Sequence, residues 1–138
     1  MPGWHMPTQA EMQTLFNACG GTGEELMTPS SISSGAAYAK GMYWVTGGEA
    51  AVKIGDDTYK VNGVLFVQDA THHVFFPAAG YIYDTNLKNA GSGGYYWSSS
   101  LYTDYTKMAY YLNFKYFVVN PGGCFDRYPG FPVRPFKD

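Results

Sequence analysis

The histidine pair His72-His73 is the first place in this 138-residue sequence where side chains could do chemistry. In an extended chain neighbouring side chains point to opposite faces, so the two rings do not readily share one metal. They read as loop or half-buried histidines. His5 stands beside Trp4 and reads as a packing residue or an entry-loop hydrogen-bond partner. Metal and calcium spacings such as H-E-x-x-H, C-x-x-C and D-x-D-x-D-G are absent. Ser98-Ser99-Ser100 lacks the G-x-S-x-G frame of a nucleophile elbow and reads as strand-end hydrogen-bonding residues. Gly91, Gly93 and Gly94 have no Lys-Ser/Thr after them, so they do not form a phosphate loop. Cys19 and Cys124 are one pair, too few for a disulfide framework, and nothing in the sequence makes them neighbours. The expectation is a protein that is not an enzyme and carries no metal and no cofactor.

Binding has a positive signal. Of the 13 tyrosines, eight lie between positions 95 and 128. From 101 to 130 the chain interleaves aromatic residues with Asp, Asn, Thr and Gly. Tyrosine gives a large amphipathic contact area with few rotors, and small polar residues adapt around it, as in antibody paratopes. Tyr95, Tyr96 and Tyr110 read as core or strand residues; the loop tyrosines read as a binding surface.

The rest of the chain must position that surface. One helix is announced by Pro7 and the capping box Thr8-Gln9-Ala10-Glu11. Met12, Leu15, Phe16 and Ala18/Cys19 follow at helical spacing, and Gly20-Gly21 supplies the stop. A second short helix near 30–38 is possible. Strands are expected at Met42–Val45, Ala51–Ile54, Thr58–Val61, Val64–Val67 and Val74–Phe76. Asn62-Gly63 has the form of a type I′ hairpin turn between two of them. Gly55-Asp56-Asp57 marks another turn. Ala109–Phe114 and Tyr116–Val119 look like a strand pair, Asn120-Pro121-Gly122-Gly123 like a turn, and Phe131–Phe136 like a last extended run. One or two early helices and many short strands make an α+β domain, single over residues 1–138.

Composition narrows the partners. The chain is 46% hydrophobic and 14% charged, with net charge −2, as a folded domain requires. Without a basic patch or charge run, nucleic acid and anionic membrane are poor partners. No apolar stretch approaches the roughly 18 residues of a membrane span. Met1 to His5 has neither the basic nor the apolar segment of a signal peptide, and the abrupt start suggests an excised domain.

Four ordered motifs carry a family resemblance. Gly3-Trp4-His5-Met6-Pro7-Thr8 with Glu11, Phe76-Pro77-Ala78-Ala79-Gly80-Tyr81, Gly94 to Ser100 (GYYWSSS) and Arg127 to Arg134 (RYPGFPVR) resemble the blocks of the Fibrobacter succinogenes major paralogous domain, common in Bacteroidetes surface proteins. The resemblance implies a C-type-lectin-like fold, shared with formylglycine-generating enzymes, held by the Trp4, Trp97 and Phe131 motifs. The family commonly ends V-R-C-V. Here Val133-Arg134-Pro135-Phe136 is similar instead to the variable proteins of diversity-generating retroelements, receptor-binding proteins whose C-terminal segment is diversified at adenines. Randomising the adenines of an AAC codon yields Tyr, Asn, Asp, Gly, Phe, Cys, Ser, Val and Pro among others, but never Lys, Met, Trp, Gln or Glu. Tyr102, Asp104, Tyr105, Tyr111, Tyr116, Phe117, Val118, Gly122, Gly123, Cys124, Phe125, Asp126, Tyr128 and Pro129 all fit that set, whereas Lys107, Met108 and Lys115 do not.

That resemblance implies a ligand-binding module whose variable positions meet a protein or glycan on another cell, with a place on the cell surface, in the secreted fraction or on a phage virion. The calcium-dependent sugar motifs of true C-type lectins and the copper-binding cysteine pair of formylglycine-generating enzymes have no counterpart here. A structural adhesin or envelope domain without a discrete site is the alternative. A formylglycine-type oxidase, which would need Cys19 and Cys124 close in space, is the third.

Overall fold

A computed structural model describes residues 2–23, 25–26, 28–29, 39–48, 52–116 and 118–138. The helix expected near 30–38, residues 50–51 and Phe117 lie outside the described residues. A short strand β1 (Trp4–His5) leads into the helix α1 (Gln9–Ala18). Thr8 Oγ1 accepts the Glu11 N–H at 3.2 Å, and the Thr8 N–H donates to the Glu11 carboxylate at 2.8 Å, so the capping box closes. At the other end the Gly20 N–H reaches the Asn17 carbonyl and the Gly21 N–H the Phe16 carbonyl, both at 3.0 Å. Gly20 turns the chain at φ +84, which completes a Schellman stop.

Thirteen further strands follow in chain order: β2 (Glu25–Leu26), β3 (Thr28–Pro29), β4 (Gly41–Val45), β5 (Val52–Ile54), β6 (Asp57–Tyr59), β7 (Gly63–Val67), β8 (His73–Pro77), β9 (Tyr81–Tyr83), β10 (Asn86–Lys88), β11 (Gly93–Leu101), β12 (Met108–Lys115), β13 (Val118–Asp126) and β14 (Phe136–Lys137). Two four-stranded sheets run β3-β4-β7-β8 and β11-β12-β13-β2. Three two-stranded pairs, β1-β14, β5-β6 and β9-β10, close around them.

This overturns the expected α+β, C-type-lectin-like architecture. Among the described residues strand takes up 50%, spread over several small sheets, and helix 8%. The physical reason lies in the pattern: past Gly41 the apolar residues alternate or run as short buried strands, and no later described segment keeps helical spacing. Among the described residues α1 stands alone, and no helix is long and apolar enough to cross a membrane.

The core explains why β7 reads as a continuous apolar run. Val64 and Phe66 face α1 and the second sheet, where they meet Met12, Phe16, Phe76, Leu112 and Phe114. Leu65 and Val67 face the opposite side and pack with Val45, Ile54 and Phe75 beneath the β5-β6 hairpin. A strand buried on both faces has no polar face to show. Each such side chain contributes roughly 1.5–3 kcal/mol.

Two expected turns are absent for identifiable reasons. Asn62-Gly63 does not make a hairpin, because β6 pairs with β5 while β7 pairs with β4 and β8. The Asn62 side chain is a strut instead. Its Oδ1 accepts the Gly47 N–H at 2.7 Å, its Nδ2 donates to the Gly91 carbonyl at 2.8 Å, and its own carbonyl accepts the Ala78 N–H at 2.7 Å. Gly63 is needed for packing, since a Cβ there would lie 2.3 Å from the Phe76 carbonyl oxygen. Asn62→Ala leaves both side-chain-bonded groups without their partners. The expected cost is roughly 1–3 kcal/mol, read from the urea midpoint; a shift no larger than that of an exposed-site control contradicts the strut.

Asn120 to Gly123 is likewise no turn. These residues lie inside β13, where the register steps from Tyr111↔Gly123 to Asn113↔Asn120, so two residues of β13 face one of β12. This is a β-bulge, and it accepts Pro121, which has no N–H to give a ladder. The expected run Phe131–Phe136 shrinks to β14, because Pro132 and Pro135 interrupt it.

His5 ties the two ends of the chain. Its Nδ1 lies 2.7 Å from Asp138 Oδ1 and its Nε2 lies 2.8 Å from Glu11 Oε1, while β1 pairs with β14. The Asp138 and then the Glu11 hydrogen bonds hold the His5 pKa above its ordinary value. The Thr8 N–H and His5 hold the Glu11 carboxyl below its own. The His5 contribution is present below about pH 6.5 and is lost as pH rises through the raised pKa; that of Glu11 is present above about pH 4.3 and is lost as pH falls through the lowered one. The clasp is therefore expected to be tightest between these limits. Cross-strand NOEs between Trp4 and Lys137 should weaken as pH rises. A His5→Gln variant with the same profile contradicts the assignment.

Candidate functional site

The sheet β11-β12-β13 sorts its side chains by alternation. Tyr96, Leu112 and Phe114 face α1 and the core. Tyr95 and Trp97 from β11, Tyr111 from β12 and Phe125 from β13 take the other face. Phe131 lies across them as a hub. Its ring centroid is 4.3 Å from Trp97, 5.1 Å from Tyr111, 5.4 Å from Tyr81, 5.5 Å from Tyr95 and 6.1 Å from Phe125. Backbone bonds hold the hub in place: Trp97 N–H to the Pro132 carbonyl at 3.1 Å, and a reciprocal pair between Ile82 and Gly130 at 2.8 and 2.9 Å.

At the outer edge of this layer the rings reach solvent. Phe125 is 38% exposed and Tyr128 64%. Tyr128 packs against Phe125 at 6.4 Å and Tyr83 at 5.5 Å, with planes crossed at 53° and 67°. The Tyr128 hydroxyl donates to the Tyr83 hydroxyl at 3.4 Å, and this contact helps push the Tyr128 pKa up to about 12, so the phenol stays neutral. Beside it Lys107, Asp126, Arg127 and Tyr128 line an open cleft of about 360 Å³. The rim thus carries aromatic anchors and both signs of charge.

The sequence-expected site residues do not form one patch. Tyr111, Gly123, Phe125 and Tyr128 belong to the aromatic layer or its rim, with exposed Asp126 at the neighbouring cleft. Tyr102, Asp104 and Tyr105 lie at the same end of the sheet but in a second cluster, where Tyr102 and Tyr105 are parallel at 6.4 Å and Tyr102 meets Tyr110 at 5.4 Å. Gly122 belongs to the α1 side, 3.2 Å from Gln9 Nε2 at its Cβ position. Tyr116 and Val118 lie at the far end of the hairpin, seven residue steps or about 23 Å away. There Tyr116 packs 5.5 Å from Trp44 and Val118 faces Leu26. Phe117 lies outside the described residues. Tyr83 was missed, although Tyr81-Ile82-Tyr83 carries the period-two signal that would have put it beside Tyr81.

The groups first weighed for chemistry are otherwise engaged. His72 Nδ1 bonds Asp69 at 2.9 Å, and that carboxyl, bonded by Thr71 and His72, lies well below the usual range. His73 Nε2 bonds Asp57 at 2.8 Å. Ser98 donates to the Tyr110 carbonyl at 2.8 Å, and Ser100 Oγ accepts the first helical N–H, that of Gln9, at 3.0 Å. Cys19 and Cys124 are free thiols; Cys19 is buried under α1, which pushes its pKa up to about 11. Trp4, expected to hold the fold, is 45% exposed. Among the described residues no group of three or more His, Cys, Asp or Glu could hold a metal ion.

A family model described as a domain of unknown function, DUF8237, matches residues 39–136. The chain belongs to the DUF8237 family. The match takes in β4 through β13 and begins after α1, so the aromatic layer of this DUF8237 domain lies wholly within the shared region. Comparison with curated proteins and with solved structures finds no match.

Proposed function

We propose that this chain is a ligand-binding module that engages a protein on another cell through the rim formed by Phe125, Tyr128 and Tyr83. The observation that carries this reading is the rigid backing of the rim: exposed rings stand on a buried aromatic layer centred on Phe131. Anchors that already pack against neighbouring rings lose less entropy on binding, and aromatic residues with charged neighbours make typical interface hot spots. Crossed ring planes favour a protein over a glycan, which would stack on a flat ring face. The likeness of the C-terminal motif to retroelement variable proteins supports the same reading, since Phe125, Asp126 and Tyr128 all fit the diversified set.

The test uses fluorescent tetramers of the domain on bacterial cells from its own community. The wild type is expected to label a subset of strains. Phe125→Ser/Tyr128→Ser should lower the apparent affinity by about 30-fold or more, the scale of one lost hot spot. Protease treatment of the cells should abolish labelling. Loss on periodate but not protease would transfer the reading to a glycan. Undiminished labelling by the double variant would refute the site and favour the structural-domain alternative.

A further inference from the structure

A second cleft, lined by none of the rim residues, lies where Trp4 and Phe136 meet α1. Its first lobe, about 380 Å³, has an apolar floor of Trp4, Leu15, Val74 and Phe136 and is lined also by Arg134 and Lys137. A second lobe of about 200 Å³ shares Leu15 and Val74 and continues along the seam between α1 and β8 to Ala18, Cys19 and Phe66. The two lobes adjoin at Leu15 and Val74, and Gln68, His72 and His73 also line the second.

Charge is distributed unevenly along this seam. Arg134 lies 5.7 Å over the Phe76 ring, and neither Arg134 nor Lys137 forms an ion pair with a described residue. The nearby carboxylates of Glu11 and Asp138 both face His5. Arg134 and Lys137 place two positive charges at this end of the seam, in a chain of net charge −2. An apolar seam with two cations at one end, neither paired with a described carboxylate, matches an apolar chain that ends in an anion.

We propose that this seam binds a long-chain carboxylate, its head group at Arg134 and Lys137 and its acyl chain along Leu15 and Val74 toward Cys19. Burial of the chain would use the exposed face of Trp4 and the partly buried Leu15 and Val74, which pack at the edge of the core. The site is independent of the rim and of the reading proposed for it.

NMR titration of the full chain with decanoate, kept below its micelle concentration, tests this. Shifts are expected at the Trp4 indole N–H and at the Leu15 and Val74 methyls. Decyltrimethylammonium, with the same chain and opposite charge, should bind at least about tenfold more weakly, and Arg134→Gln/Lys137→Gln should lower decanoate affinity by at least about tenfold, the scale of a lost charge-assisted bond. Because Arg134 rests on Phe76, the exposed Lys137→Gln alone provides a second variant, expected to weaken decanoate in the same direction. Equal binding of anion and cation, unchanged affinity in both variants, or shifts confined to residues outside the seam would each overturn the proposal.

Discussion

Gly80→Ala is expected to leave the domain largely unfolded at room temperature. Gly80 sits at φ +66, and a Cβ there would lie 2.1 Å from the Lys88 carbonyl oxygen and 2.6 Å from the Ala90 nitrogen. Both obstacles are backbone, so no rotamer change relieves them. The left-handed conformation costs an L-residue roughly 1–2 kcal/mol, and overpacking adds roughly 1–3 kcal/mol or more. Gly80 also bonds the Gly93 carbonyl through its N–H at 2.9 Å, which joins the start of β9 to the start of β11. Displacement of this junction would shift Tyr81 off the aromatic layer. The control is Gly48→Ala, at φ +104 with nothing within 4 Å of the added Cβ, where only the conformational strain applies. Equal urea midpoints for the two variants would show that the close approach is not as described.

Phe131→Ala is expected to destabilise by about 3–5 kcal/mol, the range for loss of a buried Phe. The ring is 9% exposed and touches aromatic residues from β9, β11, β12 and β13, so no single neighbour can fill the cavity. Phe131→Leu, which keeps part of the volume but none of the ring contacts, should cost less than Phe131→Ala. Tyr128→Ala, at the exposed rim, should stay within about 0.5 kcal/mol of wild type. That contrast separates the buried layer from its exposed rim. A Phe131→Ala midpoint indistinguishable from that of Tyr128→Ala would mean the hub does not hold the layer.

What the sequence made legible follows from how local each signal is. The cap at Thr8, the apolar spacing of Met12 and Phe16 and the Gly20-Gly21 stop all act within a few residues of one another, and α1 forms where they indicate. Asn62-Gly63 misled because the same dipeptide that favours a tight turn also offers an amide side chain for distant backbone, and here Gly47 and Gly91 use it. Pro121-Gly122-Gly123 misled because a bulge can absorb turn-forming residues within a strand. The α+β expectation, read from the count of elements, and the lectin-like fold implied by the resemblance both failed, since the strand content lies in several small sheets that only long-range contacts specify.

The aromatic layer was legible in composition but not in arrangement. Tyrosine enrichment over 95–128 falls on the strands that carry most of this layer, while Tyr81 and Tyr83 lie outside that window. Which face each residue takes depends on register, and the register of β13 depends on the bulge between Tyr111 and Asn113. That step places Gly123 and Phe125 with the aromatic layer and leaves Gly122 and Cys124 on the α1 side. Gly123 has a further consequence, since a Cβ there would lie 2.9 Å from the Tyr111 ring. If both positions diversify, larger residues at 123 should accompany smaller ones at 111.

Deep sequencing of codons 95–131 in the source population tests the binding account most directly. The expected result is substitution at Phe125, Asp126 and Tyr128 drawn from the AAC-derived set, with Lys107 and Lys115 constant and the buried Tyr95, Trp97 and Phe131 unchanged. An invariant rim, or variation spread equally over the rim and the buried layer, would contradict a diversified binding surface.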